Sequence, residues 1–282
     1  MDQLLIRKEA VDAYIAKSFN TLEISNQAGL QKLKEAMGYS LLEGGKRFRP
    51  VLSLLIAESF GVGPQRILPW ATAVEMIHTY SLIHDDLPCM DNDDVRRGRP
   101  TNHKIHGEAT ALLAGDALLT EAFQVVAEGF IQEPQIGLRL VRVLSEAAGL
   151  QGMVGGQAID LEAQKQKLGI QDLNLLHALK TGALIRVCAE GTAIVCGLPA
   201  EKIRLCRDFG AQVGLAFQLK DDLLDSMDGE IELGSFPGVL GLKETEAYLQ
   251  VITNQALESL TQLQIYGGLL RELILFNQNR KN

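Results

Sequence analysis

Six aspartates in two short runs carry most of the chemical information in this chain: Asp85, Asp86 and Asp91 in HDDLPCMDNDD, and Asp221, Asp222 and Asp225 in FQLKDDLLD. Like charges gathered closely repel and raise one another's pKa, so such groupings persist where a cation neutralises them. Oxygen donors with no His or Cys at ligand spacing favour Mg²⁺ over Zn²⁺, and Mg²⁺ is ordinarily shared between one or two carboxylates and substrate phosphates. The pattern predicts a metal-assisted site for a diphosphate. A solvated acidic helix end would explain one cluster more readily than two, each following an apolar helix. On such a helix Asp221 and Asp225, four apart, share a face with Asp222 beside them.

Basic and polar residues follow in places a polyphosphate would need. In Glu43-Gly44-Gly45-Lys46-Arg47-Phe48-Arg49-Pro50 the paired glycines let the backbone approach an anion, while Lys46 and Arg49 supply charge. Arg96 and Arg97 come directly after the first acidic run. Each could equally be an ordinary helix-end cation. Lys180-Thr181-Gly182 interrupts a helical pattern, and an interior Gly costs about 1 kcal/mol relative to Ala. A local break there would free the Lys180 carbonyl and Thr181 hydroxyl to face a cationic intermediate; a tolerated glycine at a helix crossing reads the same. Gln157, Asp160 and Gln218 are weaker candidates for the same polar lining. His78 and His84 precede the first cluster, where core histidines are commoner than ligands.

These residues need helices to position them. Helical periodicity predicts segments at 2–19, 28–43, 48–60, 67–90, 108–129, 134–149, 151–166, 172–197, 200–228, 243–262 and 266–277, with Gly and Pro breakers between them. Pro88 inside the fourth predicts a kink or widened turn that realigns Asp91. Apolar residues form 46% of the 282 positions and aromatics only 5%, which suits one large all-α domain, residues 1–282, better than a β sandwich.

The net charge, 27 minus 35 or −8, argues against a general nucleic-acid binder. Cys89, Cys188, Cys196 and Cys206 form no CxxC pair and sit in apolar helical stretches, which reads as buried free thiols in a reducing compartment. The N-terminal residues are charged throughout, and no later stretch supplies an uninterrupted span, so a soluble, cytoplasmic protein is expected.

GGKRFRP, EMIHTYSLIHDDLPCMDNDDVRRGRPTNH, LAGDALL, GGQAIDL, KTGALI and FQLKDDLLD, in that order, resemble the trans-prenyltransferases of the polyprenyl synthetase type, most of all those that form farnesyl diphosphate in bacteria. The resemblance implies an all-α isoprenoid synthase fold, a single helical bundle around a central cavity and usually a homodimer. It implies three Mg²⁺ ions, with Asp85, Asp91 and Asp221 as principal ligands and Asp86, Asp222 and Asp225 supporting them. Gly45, Lys46, Arg49, His78 and Arg97 would bind isopentenyl diphosphate. Arg96, Lys180, Thr181 and Gln218 would serve the allylic diphosphate and its ionisation. Tyr80, five positions before Asp85, would block the growing chain together with Ser81, giving a C15 product rather than C20.

The chain departs from the family after Asp225. The family carries a longer Gly- and Lys-rich loop there, whereas only SMDGEIELGSFPGVLGL is present, so its two lysines have no counterpart. Either the segment is naturally short or a stretch is missing, which keeps open a prenyl-diphosphate-binding subunit of weak turnover. A terpene cyclase would have no use for Lys46, Arg49 and Arg97 as a second diphosphate site. A di-iron bundle would need Glu-x-x-His motifs beside the clusters.

Overall fold

A computed structural model describes residues 2–163, 168–228, 234–266 and 268–280. Helices α1 to α14 dominate it, and the one sheet among the described residues is a two-residue hairpin, so the all-α expectation holds. Contacts gather the chain into two units, residues 1–54 with 63–141, and residues 55–62 with 142–282.

In the first unit, α1 (Asp2–Asn20), α2 (Ala28–Leu41) and the start of α3 (Phe48–Ser59) lead to α4 (Pro64–Asp85). Trp70, Ala71, Val74, Met76, Ile77, Tyr80 and Ile83 are all buried, so α4 is enclosed on every side rather than amphipathic. Its neighbour α6 (Glu108–Gly129) packs close because Gly115 has no side chain: a Cβ there would stand 2.0 Å from His84 Nε2. Buried Arg47 braces the unit. It pairs with Asp12 and Glu75, both at 2.8 Å, and donates to the Leu41 carbonyl at 2.7 Å. Removing one partner of such a buried pair costs about 3–5 kcal/mol, so Arg47 belongs to the scaffold rather than to the anion-binding set.

The fourth predicted helix stops earlier than its periodicity suggested. It ends at Asp85, and Asp86–Asp91 form turns, because Pro88 lacks an N–H and pushes its predecessor out of the helical region. The hairpin β1 (Val95–Arg96) and β2 (Arg99–Pro100) turns at Arg97-Gly98, both with positive φ, the geometry that matches strand twist. Short α5 (Asn102–His106) follows, and then α6 and the start of α7 (Pro134–Ala148).

The second unit contains α8 (Met153–Ala163), α9 (Ile170–His177), a π-helical turn (Ala178–Gly182), α10 (Ala183–Val195), α11 (Ala200–Asp228), α12 (Phe236–Leu240), α13 (Leu242–Gln262) and α14 (Leu269–Asn279). Helix α10 is buried along its length, and α11 approaches it through Gly210 and approaches the π turn through Gly214, where added Cβ atoms would meet the backbone of Arg186 and Gly182 at 2.9 and 3.0 Å. Leu173, Leu176, Leu219, Leu223, Phe236, Leu249 and Ile252 join α9, α11, α12 and α13 into one core. Each such side chain, fully buried, contributes about 1.5–3 kcal/mol. Helix α12 is not among the segments predicted from periodicity. The predicted segment to 166 runs past Ala163 into undescribed residues, and the departure after Asp225 includes 229–233, also outside the described set.

All four cysteines are free, but Cys89 is exposed on the turn after α4, which corrects the expectation that it is buried. Burial pushes the Cys206 thiol up to about 12. By length and composition α6 is apolar enough to cross a membrane, contrary to the sequence expectation, although in this fold it packs against α4.

Candidate active site

At the first cluster the chain doubles back. The Asp91 N–H donates to the Asp85 carbonyl at 2.9 Å and the Asn92 N–H donates to the Leu87 carbonyl, so the two aspartates sit at one turn. Asp85 is half-buried and Asp91 exposed. Asp86 differs: it is buried, and Arg96 Nε donates to its Oδ1 at 2.7 Å. Burial raises the Asp86 pKa, and the Arg96 ion pair works against that shift. Arg96, expected at the allylic substrate, thus already partners an expected metal ligand, and it also reaches Asp93 at 3.4 Å.

The basic residues of the same unit gather around His78. Burial, with the guanidinium charges of Arg49, Arg97, Arg96 and Arg47, lowers its pKa well below the usual value and keeps the ring neutral. Arg97 donates to the Gly44 carbonyl at 3.0 Å and fills the space over Gly45, where a Cβ would come within 2.6 Å of its NH1. Gly44 and Gly45 both have positive φ, so the pair is required twice over, by backbone conformation and by close approach. Lys46 is exposed beside them. A neutral imidazole among guanidinium groups on a glycine turn has the chemistry to hold an anion through charge-assisted hydrogen bonds. Ser81 Oγ donates to the His78 carbonyl at 2.9 Å, and Tyr80 is buried edge-on to His84 at 5.7 Å. Burial and then the Asp85 charge push the Tyr80 phenol up to about 12.

In the second unit the helix break at Lys180–Gly182 takes the form of a π turn, the device by which a helix frees backbone groups at a chosen place. Gly156 of α8 allows the approach, since a Cβ there would lie 2.2 Å from Lys180 N. Lys180 Nζ pairs with Asp160 Oδ2 at 2.5 Å, and Thr181 is half-buried. Both terminal atoms of the Gln157 amide are buried without a partner.

The second aspartate run is unequal. Asp221 pairs with Arg280 at 2.5 Å; Asp222 is buried and hydrogen-bonded to Gln218 and to the Phe236 N–H; Asp225 is exposed. Burial pushes Asp222 up to about 6, against the effect of those hydrogen bonds. Arg280, whose guanidinium also lies 4.8 Å from the Phe217 ring and donates to the Phe217 carbonyl, carried no local sequence signal. His177, three positions before Lys180, could have been noticed from its spacing. It is buried and pushed down to about 4.

Among the described residues no three His, Cys, Asp or Glu side chains already surround a point fit for a metal. Mg²⁺ itself keeps several waters and takes only one or two protein carboxylates. Asp85 with Asp91, and Asp221 with Asp225, offer hard oxygen donors of the right kind. The donor chemistry therefore fits Mg²⁺.

Helices buried on all sides, a broken helix carrying Lys-Thr-Gly, one aspartate run at the end of α4 and another on α11 define an isoprenoid synthase fold. The profile of the polyprenyl synthetase family matches residues 30–236, and the chain belongs to that family. It is 47% identical over 230 residues to the farnesyl diphosphate synthase of Geobacillus stearothermophilus, covering 81% of this chain and 76% of that protein. To the farnesyl diphosphate synthase of Bacillus subtilis it is 43% identical, covering 86% of each. The crystal structure of an FPP/GFPP synthase from Zymomonas mobilis superposes with a TM-score of 0.89 at 36% identity, over 98% of this chain and 99% of that one.

Proposed function

We propose that this protein condenses isopentenyl diphosphate with dimethylallyl or geranyl diphosphate and stops at farnesyl diphosphate, C15. One observation carries the reading: Arg97 fills the space over the Gly44–Gly45 turn, with Arg49 and a neutral His78 acting alongside. A second anion site beside an acidic one suits an enzyme that joins two diphosphates, whereas a cyclase handles only one.

In this reading the chain is a single domain, residues 1–282, whose aspartates hold three Mg²⁺ ions. Asp85, Asp91 and Asp221 are the main ligands, with Asp86 and Asp225 supporting them directly or through water and Asp222 supporting the site through the neighbours it hydrogen-bonds. Bound there, Mg²⁺ would supply positive charge to the departing diphosphate. Gly45, Lys46, Arg49, His78 and Arg97 hold isopentenyl diphosphate, and neutral His78 does so without adding charge. Arg96 and Lys180 meet the allylic diphosphate, and the Asp160 carboxylate keeps the Lys180 ammonium in place. As the C–O bond breaks toward an allylic cation, oxygen dipoles of the π turn and Gln218 stabilise the positive charge. The alkene of isopentenyl diphosphate attacks, and the proton it then loses passes to the released diphosphate, so no protein nucleophile is needed. Tyr80 and Ser81 close the far end of the chain channel. The enzyme works as a homodimer in the cytoplasm.

Product analysis with each allylic starter, with and without Mg²⁺, tests this directly. The expected result is Mg²⁺-dependent C15 diphosphate from either starter. Retained diphosphate binding with no longer product would point instead to a binding subunit, and a dominant C20 product to the geranylgeranyl-forming type.

A further inference from the structure

Both oxygens of Asp222 are committed inside the protein. Oδ2 accepts the Phe236 N–H at 2.8 Å and Oδ1 accepts from Gln218 Nε2 at 2.7 Å. Phe236 is fully buried, and its ring lies 5.0 Å from that of His177, tilted 31°, with Tyr248 edge-on behind it at 6.1 Å. His177 Nε2 stands 3.8 Å from Asp222 Oδ2 and has no hydrogen-bond partner. The first residue of α12 is thus held to α11 by one carboxylate and packed on the residue that precedes the π turn.

The chemistry of the pair fixes a direction. A carboxylate only accepts, whereas a glutamine amide has one donating and one accepting end. Facing Asp222, Gln218 must turn its nitrogen inward, which leaves Oε1 as the end free for another partner. To bind a cation Asp222 would have to release Phe236 or Gln218, and a buried N–H left unsatisfied costs about 1–3 kcal/mol.

We propose that Asp222 is a positioning residue: it pins α12 to α11 through Phe236 and orients Gln218 so that an oxygen, not a nitrogen, is presented to the allylic substrate. The second half of this rests on the reading of Gln218 as an allylic-site residue; the first half does not.

Hydrogen exchange of the whole chain, followed over residues 234–241, reads the tether. In Asp222→Ala the Phe236 amide exchanges at least about tenfold faster, the size expected for losing one buried hydrogen bond; unchanged protection overturns the tether. Asp222→Asn keeps an oxygen for Phe236 but offers an amide nitrogen to Gln218, turning that side chain round. Protection then stays as in the unaltered protein, while kcat falls about tenfold or more and the Mg²⁺ midpoint moves less than about threefold. Adding Gln218→Glu to Asp222→Asn restores an acceptor opposite the new amide and recovers most of the lost kcat. A tenfold rise in the Mg²⁺ midpoint with no recovery in the double variant makes Asp222 a metal ligand and overturns the proposal. Should Asp222→Ala fail to fold, the Asp222→Asn variant and its double still decide the matter. A protein that elongates no allylic starter fails the functional reading alone, because the exchange result stands without turnover.

Discussion

Residues of one type do different work here according to burial. Asp86 and Asp222 are buried and partnered by Arg96 and by Gln218 with Phe236, whereas Asp91 and Asp225 are exposed. The arginines divide in the same way, with Arg47 locked into the scaffold and Arg97 on the glycine turn. Tyr80 offers the sharpest test at this scale. Its ring is buried one turn and more below Asp85, and in the proposed function its removal gives a growing chain more room. Tyr80→Ala is expected to shift the main product from C15 to C20 and longer, resolved by chromatography of the dephosphorylated alcohols. An unchanged product length would remove Tyr80 from the chain-length role. Loss of a buried aromatic costs about 3–5 kcal/mol, so folding of the variant is checked first by circular dichroism.

Elements meet through glycine where the site demands backbone proximity. Helix α8 reaches the π turn because Gly156 leaves room: a Cβ would fall 2.2 Å from Lys180 N and 2.6 Å from its Cα, and neither backbone atom can swing aside. Gly156→Ala gains about 1 kcal/mol of helix propensity. The overpacking costs about 1–3 kcal/mol or more, and it wins. A lowered melting temperature is expected, together with reduced turnover as the π turn is displaced. Gly29→Ala, in α2 with nothing within 4 Å, is the matched control and should melt no lower than the unaltered protein. Equal melting of the two variants would show that the α8 contact is not tight. Much of this scale was legible beforehand. Helix positions followed from periodicity, and the cost of Gly182 pointed to a break at Lys180–Gly182. The end of α4 did not follow, because the apolar pattern continues through Leu87 while Pro88 stops the hydrogen-bond ladder.

For the molecule as a whole, the proposed homodimer has a support independent of family likeness. Leu112 and Leu113 on α6 and Ile105 on α5 are 47%, 54% and 51% exposed, large apolar side chains that a partner chain could cover. A Leu112→Glu, Leu113→Glu double variant is expected to sediment as a monomer, while the unaltered 30.8 kDa chain sediments as a dimer. An unaltered chain that sediments as a monomer would set the homodimer aside.

Taken alone, the order of residues determined the helical class, the two acidic runs, the basic glycine turn and the interrupted helix, because each depends on neighbours within a few positions. Tertiary structure decided which charges meet. Arg280 reaches Asp221 across 59 positions, Asp222 accepts from Phe236 fourteen residues on, and Arg47 spans α1 and α4. Such pairings have no local periodicity, since they arise only when apolar burial brings distant helices together and leaves each buried charge to find a partner.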